Sequence, residues 1–261
     1  MRNLFSALLL TTGLTLAATS AHAQATLSFG PRVGGNLATA TFNSLESISN
    51  AGYSIDYQKS PIIAPQLGMV INMQWGNWAF QPALLFSQKG VKQNVSANIT
   101  DPGYSIRGDI SVTSRINYLE LPLNVVYTTE GDHGVQLFAG PYLALGVGGK
   151  ATYTNRAVIT SNGVSESYSE NGSAGYSFAN EFTDPDSQNS RDSDIFATAR
   201  RFDAGIAAGV GYRLGPVQAQ LGYSFGLLNA QPDYPASYQM KNETGYHRSL
   251  QLTATYFIAP K

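Results

Sequence analysis

The histidines, and a few acids and arginines, are the residues here whose chemistry bears asking about first. Acyl transfer or peptide cleavage needs a base that titrates near neutrality beside a hydroxyl nucleophile. The sequence holds 3 histidines. His22 falls in an N-terminal stretch expected to be removed, and His133 stands in a turn between Gly131-Asp132 and Gly134. Only His247, with Ser249 two residues along, offers such a pair, and its surroundings favour a polar residue near the rim of the fold. Asp184-x-Asp186 and Asp192-x-Asp194 gather carboxylates, but the glycine and distal glutamate of a dedicated calcium loop are missing. No catalytic residue, metal ligand or cofactor is therefore expected. Arg32, Glu120, Asp203 and Arg213 fall on the polar parity of the alternating segments described below. A charge enclosed there is costly unless paired and hydrogen-bonded, so Glu120 is expected to pair with an arginine, Arg32 first of all.

The elements that position these residues begin after a leader. Arg2 provides a basic start, Leu4 to Ala18 is mostly apolar, and Ala21-His22-Ala23 has the small-x-small pattern of a cleavage site. Residues 1–23 read as a cleaved signal peptide and 24–261 as one domain. The chain has no cysteine, which excludes thiolate metal sites and a disulfide framework. A formal net charge of −1 gives no reason to expect nucleic acid as a partner. Only 13% of residues are charged, against about 25% in soluble domains, so something other than water is expected to wet part of the surface. After the leader no apolar run is long enough for a spanning helix, which leaves the closed β-barrel as the structure that can cross a bilayer.

Alternation of period two recurs through the chain. Leu119, Leu121, Leu123 and Val125 interleave with Glu120, Pro122 and Asn124, and Val217, Leu221, Tyr223 and Phe225 oppose Gln218, Gln220, Gly222 and Ser224. Similar segments begin near Leu27, Leu67, Phe80, Val135, Ile206 and Leu250. Eight segments of crossing length, joined by connections that alternate long and short, predict an all-β fold: an eight-stranded antiparallel transmembrane up-and-down β-barrel with long extracellular loops. The longest, from Ala151 to Ala199, reads as a polar acidic loop.

A soluble barrel would carry the same alternation with its apolar parity inside. Two features decide against it. The apolar parity of these segments carries no charge, and its aromatics gather at segment ends. Phe29, Trp75, Trp78, Phe80, Tyr127, Tyr212 and Tyr256 fall at the short-turn ends, where a membrane interface selects an apolar body with a polar edge. The apolar parity is expected to face lipid and the polar parity to fill a narrow lumen.

Tyr118-Leu119-Glu120-Leu121-Pro122-Leu123, then Phe138-Ala139-Gly140-Pro141-Tyr142, then Gly205 to Tyr212, then Tyr223-Ser224-Phe225-Gly226-Leu227 occur in an order that resembles the PorT-like outer-membrane β-barrel proteins. The likeness runs from Gly30 to Phe257. It implies an integral outer-membrane location with lipid as the obligate partner. The expected role is non-enzymatic, structural or through loop binding. The alternatives are a component of a secretion or envelope-assembly apparatus, with envelope proteins as partners, and a rim-active lipid-modifying or proteolytic enzyme.

Overall fold

Strands with one apolar and one polar face lose their exposed edges when the sheet closes on itself. The computed structural model describes residues 25–43, 47–50, 52–182, 197–234 and 244–258. Its strands are β1 (Thr26–Phe42), β2 (Ile48–Asn50), β3 (Tyr53–Ser60), β4 (Ile62–Trp75), β5 (Trp78–Asp101) and β6 (Tyr104–Glu130). They continue with β7 (His133–Ser161), β8 (Val164–Phe178), β9 (Ala197–Ala199), β10 (Phe202–Leu214), β11 (Val217–Gly226) and β12 (Gly245–Tyr256). Eight of them close a ring of antiparallel neighbours, β1-β4-β5-β6-β7-β10-β11-β12, with β12 pairing back to β1. The expected leader lies outside the described residues.

The ring is apolar outside and polar inside. Leu67, Leu84, Leu119, Leu137, Leu143, Ile206, Leu221 and Leu252 point outward and are exposed. Their strand neighbours Gln66, Gln81, Glu120, Asn124, Gln136, Gln218, Gln220 and Thr253 are buried in the lumen. Inverting the usual distribution is stable only where hydrocarbon replaces water around the wall.

Two-residue turns close one end of the ring, at Gly76-Asn77, Gly131-Asp132 and Gly215-Pro216. The other end differs from the expectation. Where a polar loop was expected between Ala151 and Ala199, β7 runs on to Ser161 and β8 returns from Val164 to Phe178 in register. The connection from β5 to β6 likewise narrows to Pro102-Gly103. Asn162 (φ 48°) and Gly163 (φ 81°) both occupy the left-handed region, as a two-residue hairpin turn of primed type demands. That turn converts a polar segment into paired strands, whose length of 24 to 29 residues in β5, β6 and β7 far exceeds a bilayer crossing of about 9–11. The outcome is a sheet standing well clear of the membrane, with β3 and β2 added on one side and β8 on the other. Of the acids between Ala151 and Ala199, Glu166 and Glu170 lie on β8, Glu181 forms an isolated bridge with Asp233, and Asp184, Asp186, Asp192 and Asp194 lie outside the described residues.

Candidate functional site

The charges gather in the lumen, and strand parity puts them there. β5 turns Gln81, Ser87 and Lys89 inward, β6 contributes Tyr118 and Glu120, β7 Tyr142, β10 Asp203 and β12 His247. Lys89 Nζ stands 2.8 Å from Glu120 Oε2 and 3.0 Å from Asp203 Oδ2, with the three side chains 1%, 3% and 1% exposed. The Tyr142 hydroxyl donates to Asp203 Oδ2 at 3.1 Å, and its ring lies 4.0 Å from the ammonium. Tyr118 Oη and His247 Nε2 meet at 3.1 Å beside them. An enclosed ammonium needs partners for three N–H groups, and two carboxylates with a ring face meet that need.

A second layer lies closer to the short-turn end. Arg32 Nε donates to Thr255 Oγ1 at 2.9 Å, and its Nη2 donates to Gln220 Oε1 at 3.1 Å and to Gln81 Oε1 at 3.4 Å. Gln81 Nε2 donates in turn to Asn72 Oδ1 at 2.9 Å and Gln218 Oε1 at 3.0 Å. Arg213 sits at the base, with Nη1 donating to Gln74 Oε1 at 2.6 Å and its guanidinium 4.9 Å from the Phe257 ring.

All four expected lumen charges, Arg32, Glu120, Asp203 and Arg213, are therefore inside, but they do not pair as expected. The partner of Glu120 is Lys89, and Arg32 is held by neutral amide and hydroxyl oxygens. The reason is reach. Lys89 enters from the strand next to Glu120 on a four-carbon stem, whereas Arg32 is three strands away and meets β11 and β12 first. Lys89, Tyr118 and Tyr142 are the members that reading the sequence missed. Parity alone was a signal for Lys89, since it shares the side of Gln81 and Ser87.

The girdle residues Phe29, Trp75, Trp78, Tyr212 and Tyr256 are exposed on the outer wall at the short-turn end, and Phe80 and Tyr127 are partly covered. Trp78 and Tyr127 pack edge to face at 5.0 Å between ring centres.

His247 is a lumen residue, not a rim residue: it is buried against Tyr118, and Ser249 is not its partner. His133 hydrogen-bonds Asp132 at 2.6 Å in the β6–β7 turn, which holds the Asp132 carboxyl below its ordinary range. Among the described residues no group of three His, Cys, Asp or Glu is placed to hold a metal. Above the ion cluster, Tyr176 and Phe178 of β8 fold over the mouth and pack on Ile116, Tyr118, Tyr142 and Ala144. Within the ring the space that remains is small, while the short-turn mouth, lined by Ser28, Gln74, Arg213 and Phe257, opens as a vestibule of about 530 Å³. A cavity of about 20 Å³ beside Arg32 and Glu120 has room for one water, and one of about 70 Å³ lies beneath Tyr176 and Gln231.

A closed antiparallel ring with an apolar wall, an aromatic girdle and a packed polar interior defines an integral transmembrane β-barrel. The chain belongs to the outer-membrane β-barrel family: the family model for the outer membrane protein beta-barrel domain matches residues 22–231. It is an integral protein of the outer membrane. Among solved structures, the attachment invasion locus protein Ail of Yersinia pestis shares 12% identity, with 88% of this chain and 98% of that chain covered and a TM-score of 0.32. The Pseudomonas putida toluene transporter TodX shares 8% identity, with 89% of each chain covered and a TM-score of 0.21. No curated protein matches the sequence.

Proposed function

We propose that this protein is a closed, non-catalytic barrel that acts through the sheet it holds above the outer membrane. The observation that carries this reading is the Lys89–Glu120–Asp203 cluster, which spans the lumen from β5 and β6 to β10 beneath the Tyr176 and Phe178 cover. A pore needs that space empty. The strands β5 to β8 meanwhile build a large polar surface whose hairpin tips need no part in crossing lipid. Reconstituted in planar bilayers, the protein is expected to give no steady conductance. Porin-like ohmic steps from the pure folded protein would refute the closed-barrel reading.

Within the family, the order of the motifs at Tyr118–Leu123, Phe138–Tyr142 and Tyr223–Leu227 supports a PorT-like barrel. That makes a place in a secretion or envelope-assembly apparatus the second reading. One structural feature favours it: from Val164 to Gly175, β8 pairs only with β7 among the described residues, so its other edge is open to an added strand from a partner. Envelope proteins that co-purify in mild detergent, and are lost when Ser167 and Ser169 on this edge are changed to proline, would favour the second reading. A rim-active enzyme has the least support, because the imidazole it would need faces Tyr118 inside the barrel.

A further inference from the structure

The outer face of β5, β6 and β7 changes character where the apolar band ends. Phe86, Leu119 and Leu145 are the outward residues of neighbouring strands at one level. Next come Gln88 and Asn117, cross-strand partners joined by a 2.8 Å hydrogen bond from Gln88 Nε2 to Asn117 Oδ1. Beyond them Arg115 and Lys150 are direct cross-strand partners and so share that face, with Lys92 one inward-outward repeat further along β5. Like charges placed opposite each other repel. Among the described residues no carboxylate pairs with Lys92, Arg115 or Lys150. Asp109, on the same face, already accepts from Ser96 Oγ at 2.6 Å and lies 3.7 Å from Arg107 Nε.

The arginine is also held in place. Its Nη1 donates to the Ile63 carbonyl at 2.9 Å and to Gln88 Oε1 at 3.1 Å, which pins one edge of the guanidinium against the barrel wall. The other edge is left for an outside acceptor. Height identifies that acceptor. Arg115 lies four residues beyond Leu119, about 10 Å further from the membrane centre for a tilted strand, and this is the depth of lipid headgroups. A soluble anion has no reason to sit at this level rather than higher on the sheet, whereas an anionic lipid has its phosphate there and its tails along Phe86 and Leu119.

We propose that Arg115, Lys150 and Lys92 form an outward-facing site for the phosphate groups of an anionic glycolipid in the outer leaflet. The tails of that lipid lie on the apolar wall below, and its headgroup neutralises the opposed Arg115–Lys150 pair.

The test uses the refolded full-length protein in phosphatidylcholine bicelles doped with a bisphosphorylated diglucosamine lipid, or with the same lipid after dephosphorylation. Binding is read by the motionally restricted fraction of spin-labelled lipid and by lipid retained through purification. The wild type should prefer the phosphorylated lipid. Each charge removed should lower that affinity about fivefold, and Arg115→Gln with Lys150→Gln about 25-fold. The charge-conserving pair Arg115→Lys with Lys150→Arg should retain most of the binding, and 1 M NaCl should abolish the preference. Unchanged thermal unfolding in undoped bicelles shows that the variants are folded. If the double glutamine variant fails to fold, Lys92→Gln and the salt series on the wild type still decide. Equal binding by wild type and glutamine variants would overturn the proposal, as would indifference to the lipid's phosphates. Pyrophosphate in solution binding as tightly as the lipid would overturn it in favour of a free-anion site.

Discussion

Replacing Lys89 by methionine keeps most of the stem and removes the charge, so it isolates what the ion cluster contributes. At an effective dielectric of about 20, contacts of 2.8 and 3.0 Å are each worth about 5–6 kcal/mol of gross attraction. Desolvating three buried charged groups offsets much of that gain in the wild type. In the variant the desolvation of Glu120 and Asp203 is left without compensation, and removing one partner of a buried pair costs about 3–5 kcal/mol. Loss of the ammonium from the Tyr142 ring, 4.0 Å away, adds about 0.5–2 kcal/mol. The expected total, about 3.5–7 kcal/mol, approaches the whole stability of many domains. The control is the triple variant Lys89→Met, Glu120→Gln, Asp203→Asn. It is neutral and nearly isosteric and should return to within about 1–2 kcal/mol of wild type. Urea titrations of protein refolded into phospholipid vesicles measure both, followed by the fluorescence of Trp75 and Trp78 on the outer wall. A single variant that loses less than about 1 kcal/mol would refute the reasoning. A triple variant as unstable as the single would do the same.

Three further predictions concern the wall and the turns. Gly140→Ala should destabilise the barrel by about 1–3 kcal/mol, because a methyl group there meets the Leu123 carbonyl oxygen of the adjacent strand, and heat-modifiability on gels should report the loss. Asp132 is held below its ordinary range by His133, so the small stability this adds is complete above that range and disappears as pH falls through the lowered folded value. His133→Ala should raise the Asp132 midpoint in a carbon-13 carboxyl titration, and an unmoved midpoint would show that the hydrogen bond is not the cause. Because the chain has no cysteine, single-cysteine labelling is clean: Ser161→Cys should react with an impermeant maleimide on intact cells, and Glu130→Cys only after permeabilisation. The reverse pattern would invert the topology.

The wall was legible in the sequence because hydrocarbon acts on one parity only. Leu119, Leu121 and Val125 could be separated from Glu120 and Asn124 by inspection, and the aromatics at Trp75, Trp78 and Tyr256 then told lipid from a soluble core. The extended hairpins were not legible by the same means. Above the membrane both faces meet water, so Ser165-Glu166-Ser167-Tyr168-Ser169-Glu170 shows no apolar parity although it is strand throughout. Only the turn chemistry of Asn162-Gly163 survives as a local signal there. The lumen partners were half legible. Parity says that Arg32, Glu120 and Lys89 are all inside, but which of them touch depends on strand order around the ring and on side-chain length, and neither has a period.

What selects this ring among other closed arrangements has to lie inside it. Lipid tails are as apolar as leucine, so the wall gains little from one strand order over another. Directed bonds across the lumen do discriminate. Lys89 ties β5 to β10, Tyr118 with His247 ties β6 to β12, Arg32 with Gln220 ties β1 to β11, and Gln81 with Gln218 ties β5 to β11. None of these strands are neighbours in the ring, so each bond fixes the cross-section as well as filling it. Opening a path for solutes means breaking the Lys89 cluster, at about 3–5 kcal/mol, which leaves about one molecule in 10² to 10⁴ open at any moment. Under the function proposed above, the lumen that gives the barrel its strand order also keeps it closed almost all of the time, and the surfaces that strands β5 to β8 carry above the membrane are where the protein acts.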